Sequence, residues 1–127
     1  MNVVDSSAWL EYLANGPNAR YFAPAIEAVD KLLVPAIVVY EVFRRVLQQR
    51  NEDAALQAAA VLHQGEVIAV DSALALYAAR LGVEHKLPLA DSLVYATTRV
   101  RDAVLWTQDA DFKDLPGVRY RAPRSSR

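Results

Sequence analysis

The 127-residue chain has no cysteine, two histidines and four glycines. The missing thiols exclude a disulfide framework, a thiolate metal site and a cysteine nucleophile together. Long apolar runs are missing as well: the longest stretch free of acidic and basic residues, Ala54 to Gly65, spans 12 residues, well short of the roughly 18 that a membrane helix needs. The first basic residue is Arg20, preceded by the acids Asp5 and Glu11. That order is the reverse of a secretory leader, so the expectation is a cytoplasmic domain with no membrane span. Nor is there an excess of one charge: 14 basic residues against 15 acidic ones leave a net charge of −1, too little to steer the whole molecule toward nucleic acid. The bases are unevenly placed. Arg119, Arg121, Arg124 and Arg127 fall in the last nine positions, and Arg44 and Arg45 sit together; a basic terminus is either a solvated end or an arm that contacts phosphate.

Apolar residues are abundant. At 54% hydrophobic and 23% charged, the composition excludes a disordered chain, and this length suits one domain that buries roughly two thirds of its unfolded surface. Met1 to Val4 reads as a strand ending in the helix-start signal Asp5-Ser6, after which Ala8, Trp9, Tyr12 and Leu13 recur with helical spacing until Gly16-Pro17. Further helices are predicted over about 19–30, 36–50, 52–63, 73–85 and 87–101, with Gly82 a weak point in the fourth. Short strands are predicted at 32–34, 67–70, 103–107 and 118–121, and a turn or short helix over 109–114. These strands are too apolar to face water and alternate with helices, which predicts a parallel sheet covered on both faces. Right-handed crossovers would bring every strand's C-terminal end to one edge, where ligands bind in open α/β sheets.

Most of the 15 acids lie in polar, helix-surface contexts. Five do not. Asp5 ends the first strand, where it is either a helix N-cap or a site residue. Glu41 is the one charge between Ala36-Ile37-Val38-Val39-Tyr40 and Val42-Phe43. Burying it uncompensated would cost several kcal/mol, so it must face a cation, a cavity or an ion-pair partner such as Arg44 or Arg45. Asp91 repeats the pattern within Leu87 to Ala96, with helix capping as its alternative, and Asp109 and Asp111 follow the strand at 103–107, where a tight turn would account for either. Asp5, Glu41, Asp91 and Asp109 can all reach one sheet edge. Two carboxylates ~5 Å apart repel by about 3 kcal/mol at an effective dielectric near 20, so such a cluster calls for a cation. Oxygen-only ligands favour Mg²⁺ or Mn²⁺ over zinc, and Mg²⁺ held by a few carboxylates points to a phosphodiester substrate attacked by activated water.

These segments resemble the PIN-domain ribonucleases, and among them the small VapC-type toxins of toxin–antitoxin pairs. The likeness is carried by Val3-Val4-Asp5-Ser6-Ser7-Ala8, Val39-Tyr40-Glu41-Val42, Leu87-Pro88-Leu89-Ala90-Asp91-Ser92-Leu93 and Leu105-Trp106-Thr107-Gln108-Asp109-Ala110-Asp111-Phe112, in that order. The resemblance implies an α/β/α sandwich with a central parallel sheet, occupying residues 1–122 as one domain with 123–127 as a basic tail. It implies a Mg²⁺-dependent endoribonuclease that leaves a 5′ phosphate and a 3′ hydroxyl, a homodimer, and inhibition by a cognate antitoxin. By position it makes Asp5, Glu41, Asp91 and Asp109 the catalytic metal-binding set, Asp111 an auxiliary acid, and Ser6 and Thr107 orienting hydroxyls. Arg44, Arg45, Lys86, Arg99 and the arginine-rich tail are the candidate contacts for RNA. Trp9, Tyr12, Tyr40, Phe43, Tyr95 and Trp106 are expected in the core or a dimer contact rather than as base-stacking platforms. Two other readings compete: a phospho-accepting receiver domain with Asp71 as acceptor, which leaves Glu41 and Asp91 without a role, and a catalytically silent interaction module whose acids only cap and pair.

Overall fold

The computed structural model describes residues 1–125; Arg127 of the basic tail lies outside them. Five strands form one parallel sheet, β1 (Asn2–Val4), β2 (Leu32–Pro35), β3 (Glu66–Ile68), β4 (Val104–Thr107) and β5 (Val118–Tyr120), in the order β3-β2-β1-β4-β5. Six helices connect them: α1 (Ser6–Leu13) and α2 (Ala19–Glu27) between β1 and β2, α3 (Ala36–Gln49) and α4 (Glu52–Leu62) before β3, and α5 (Ser72–His85) and α6 (Leu89–Val100) before β4. The first two crossovers step outward from β1 while the third returns across the sheet, so right-handed connections place α1–α4 on one face and α5–α6 on the other. This is the expected α/β/α sandwich. The core is continuous between the layers, from Val3, Val4, Leu33 and Leu105 on the central strands to Trp9, Phe22, Val38, Val94 and Phe112 against them.

The element boundaries follow local chemistry. Asp5, Asn51 and Asp71 accept from the backbone N–H three residues on, at 3.0, 2.8 and 2.8 Å, and start α1, α4 and α5. Pro35 and Pro88 precede α3 and α6 instead, with no side-chain cap, and so leave Glu41 and Asp91 uncommitted. The predicted helix over 19–30 splits into α2 and a 3₁₀ turn at Val29–Lys31. β3 departs furthest from expectation: it covers 66–68 at the sheet's edge, and Val67 and Val70 are exposed rather than buried. Gly82 lets α5 and α6 approach closely, since a Cβ there would lie 3.2 Å from Ser92 Cβ, next to Asp91.

Candidate active site

Parallel topology gathers the ends of β1 and β4 side by side, in the register Val4 opposite Trp106. Asp5 and Thr107 therefore become neighbours although 102 positions separate them. Asp5 is buried, and both of its carboxylate oxygens accept hydrogen bonds: Thr107 Oγ1 donates to Oδ2 at 2.6 Å, while Ser7 Oγ and the Ala8 N–H donate to Oδ1 at 2.8 and 3.0 Å. Its N-cap and site roles thus coexist. Burial pushes the Asp5 carboxyl up to about 6, against the pull of those three donors and with a further push from Asp109. Thr107 Oγ1 in turn accepts from the Asp109 N–H at 2.8 Å, so one hydroxyl sets the spacing between the two acidic segments.

The other acids converge on Asp109. Asp91, Asp109 and Asp111 each offer a carboxylate oxygen, all within 4.8 Å of one another, an arrangement suited to a metal ion. Among the described residues Asp91 makes no side-chain hydrogen bond and no ion pair. Burial, then Asp109, Asp5, Asp111 and Glu41 in that order, push its carboxyl up to about 7. Glu41 is raised by burial and by Asp109, with the Ser6 hydroxyl pulling the other way. Glu41 has no ion-pair partner among the described residues. Of the two suggested partners, Arg44 donates to the Tyr40 hydroxyl at 2.7 Å instead, and Arg45 makes no ion pair among the described residues. All five acids singled out in the sequence thus share one electrostatic neighbourhood.

Sequence reasoning chose Ser6 as the orienting hydroxyl and passed over its neighbour. Ser6 faces Glu41, whereas Ser7 holds Asp5 and also accepts from the Gln108 N–H at 3.3 Å. The signal was available, because a hydroxyl two residues after an N-cap aspartate is within reach of its carboxylate. Asn18 was also missed. It is buried and donates through Nδ2 to Gln108 Oε1 at 2.6 Å and to the Ala122 carbonyl at 2.9 Å, tying α2's start and the chain's end to the residue before Asp109. Asp111, given only an auxiliary place, belongs to the tight carboxylate group.

The candidate basic residues divide. Arg44 and Arg45 line a groove of about 370 Å³ together with Ser6 and Glu41. Lys86 stands in the turn before α6, in the left-handed conformation at φ 57°. Arg99 lies in the last turn of α6, eight residues or about 12 Å of helix from Asp91, beside Gly117 where β5 begins. A helix that carries its acid in the first turn delivers its last turn to the opposite sheet edge. Asp71 caps α5 through the Leu74 N–H and shares a hollow with Thr97, Val100 and Arg101; among the described residues it joins no acidic cluster, which a phospho-acceptor would need. Of the aromatics, Trp9 and Tyr95 are in the core, Tyr12, Phe43 and Trp106 are half-buried, and Tyr40 is exposed at the groove.

The fold has close counterparts among solved structures. A toxin–antitoxin complex from Klebsiella pneumoniae is 25% identical, with a TM-score of 0.76 over 94% of this chain and 96% of that one. The sarcin–ricin-loop-cleaving toxin VapC20 of Mycobacterium tuberculosis is 20% identical, with a TM-score of 0.76 over 93% and 97%. VapBC2 from Rickettsia felis, bound to a DNA fragment from its promoter, is 15% identical, with a TM-score of 0.72 over 95% and 97%. No curated protein matches the sequence. The PIN domain model matches residues 3–118, a span that contains all five clustered acids, and the chain belongs to that family.

Proposed function

We propose that this chain is the toxin of a toxin–antitoxin pair, an endoribonuclease that hydrolyses RNA phosphodiesters with Mg²⁺ or Mn²⁺ and leaves a 5′ phosphate and a 3′ hydroxyl. The observation that carries this reading is the group of carboxylate oxygens of Asp91, Asp109 and Asp111, all within 4.8 Å of one another and without a cationic partner among the described residues. A hard divalent ion fits that donor set, because three acidic oxygens with no imidazole or thiolate match its preference, and the raised Asp5 and Asp91 carboxyls show how poorly bare charge is tolerated there. Asp5, Glu41, Asp91 and Asp109 would hold it, with Asp111 completing the set. When bound, such an ion supplies charge to a phosphate and activates water as a nucleophile.

The remaining work belongs to this chain's own side chains. Thr107 and Ser7 fix Asp5 in one orientation, and the Ser6 hydroxyl favours the charged form of Glu41. Preorganisation of this kind spares the acids a rearrangement as the substrate arrives. Arg44 and Arg45 beside the groove, and Lys86 before α6, bind phosphates flanking the scissile one. The proposed antitoxin finds a suitable apolar channel of about 320 Å³ between α1, α3 and α4, lined by Leu10, Leu13, Val46, Ala58 and Val61. A second copy is proposed to cover Leu76, Val83 and Leu89, which α5 and the start of α6 leave exposed. The cytoplasm, where RNA is abundant, is the proposed compartment.

The test is cleavage of RNA by the purified chain in Mg²⁺ or Mn²⁺, abolished by EDTA and by Asp109→Asn, together with calorimetric titration of the ion. Absence of both cleavage and ion binding would leave the interaction-module reading in its place.

A further inference from the structure

The chain's end carries a feature that the acid cluster does not explain. Arg119 and Arg121 project from the same side of β5, and each lies on an aromatic ring. The Arg119 guanidinium carbon is 5.0 Å from the Trp106 centroid and that of Arg121 is 4.3 Å from the Tyr21 centroid. The two rings pack on each other at 5.4 Å, and Trp106 is fixed by donating to Asn2 Oδ1 at 2.9 Å. A chain of four packed groups results, Arg119–Trp106–Tyr21–Arg121, with the two rings tilted 59° to each other. Both arginines are exposed, and among the described residues neither has a carboxylate within ion-pair distance; the only ion pairs there are Arg101 with Glu66 and His85 with Glu84. Stacking uses the faces of a guanidinium and leaves its N–H edge free, in a side chain already partly immobilised.

Position gives this arrangement a meaning. The Arg121 N–H donates to the Thr107 carbonyl at 3.0 Å, so Arg121 stands one strand spacing, about 4.8 Å, beyond the residue that joins Asp5 to Asp109. Asn18 holds the next carbonyl, Ala122, and keeps the segment on the sheet. Along the edge the order is therefore Arg44 and Arg45 on α3, the acids at the ends of β1 and β4, then Arg121 after β5. We infer that Arg119 and Arg121 form a preorganised rail for the phosphates of a single-stranded RNA on the β5 side of the acid cluster, opposite Arg44 and Arg45. This deepens the nuclease reading and rests on it for the identity of the strand.

The experiment compares the full chain with Arg119→Ala/Arg121→Ala and with Arg119→Gln/Arg121→Gln, the latter keeping side-chain length should the alanine pair fold poorly. Binding of fluorescein-labelled single-stranded 12-mers of several sequences is followed by anisotropy in an Asp109→Asn background, and cleavage in the unmodified background. Expected are about tenfold or greater weakening for every sequence, a salt slope lower by about 1.4 for two lost phosphate contacts, and a raised KM with kcat within twofold. If the variants bind and cleave as the parent does, the rail is overturned while the nuclease reading stands. If the parent binds RNA without cleaving it and the variants bind more weakly, the rail stands and the nuclease reading falls. A parent that neither binds nor cleaves overturns both.

Discussion

The two edges of the sheet treat negative charge in opposite ways. Where the strands begin, Glu66 is met by Arg101 through two contacts of 3.2 and 3.3 Å, and Asp71 nearby is used up as the cap of α5. Where they end, five acids crowd together without an ion-pair partner among the described residues, and the carboxyls of Asp5, Glu41 and Asp91 are all pushed upward. The first edge is what folding alone would select, since paired or capping acids cost little. The second lowers stability in the metal-free protein, and such a cluster persists where binding returns what folding gives up.

The sharpest way to break this contrast is to remove charge at the crowded edge. Asp91→Asn or Glu41→Gln should lower RNA cleavage by more than about a hundredfold while leaving the metal-free protein as stable as before or more so, read by thermal melting. A loss of fold without any change in residual cleavage would favour the silent-module reading. Next in size is Thr107→Val, which strips the buried Asp5 of its shortest hydrogen bond. We expect a loss of about 2 kcal/mol in denaturant unfolding, with Asp5 shifted further upward.

A pH series tests the same asymmetry without mutation. Asp5 and Asp91 bind their protons more tightly in the folded state than in the unfolded one, so the folded state holds more protons between about pH 4 and 7. Stability of the metal-free protein should therefore fall as pH rises through that window. Saturating Mg²⁺ should flatten or reverse the trend, as seen in melting curves. The smallest effect belongs to the other edge. Arg101→Ala breaks an exposed pair and should cost less than about 1 kcal/mol, with cleavage unchanged.

The acids were legible in the sequence because Glu41 and Asp91 interrupt apolar runs and Asp5, Asp109 and Asp111 follow predicted strands. Glu41 between Tyr40 and Val42, and Asp91 after Leu87-Pro88-Leu89, each set a carboxylate in an apolar stretch that packing alone does not favour. The alternation of short apolar strands with helices likewise sufficed for a covered parallel sheet. What sequence could not supply was spatial order. Ser7 and not Ser6 reaches Asp5 because of the turn at the head of α1, and Asp111 enters the carboxylate group through a 3₁₀ turn that starts on Asp109. Arg99, a candidate contact for RNA, is separated from Asp91 by most of α6. Nor did β3 betray its edge position, since its apolar residues read as core while the sheet order leaves Val67 exposed and Ile68 half-buried.

Gly82 gives the fold an adjustable part. The missing side chain is what allows α6 to seat Ser92, and with it Asp91, where it does. A single methyl group added there would press on Ser92 and act as a wedge beside Asp91. The placing of the acid is thus open to graded tuning from inside the scaffold, with every acidic side chain left intact.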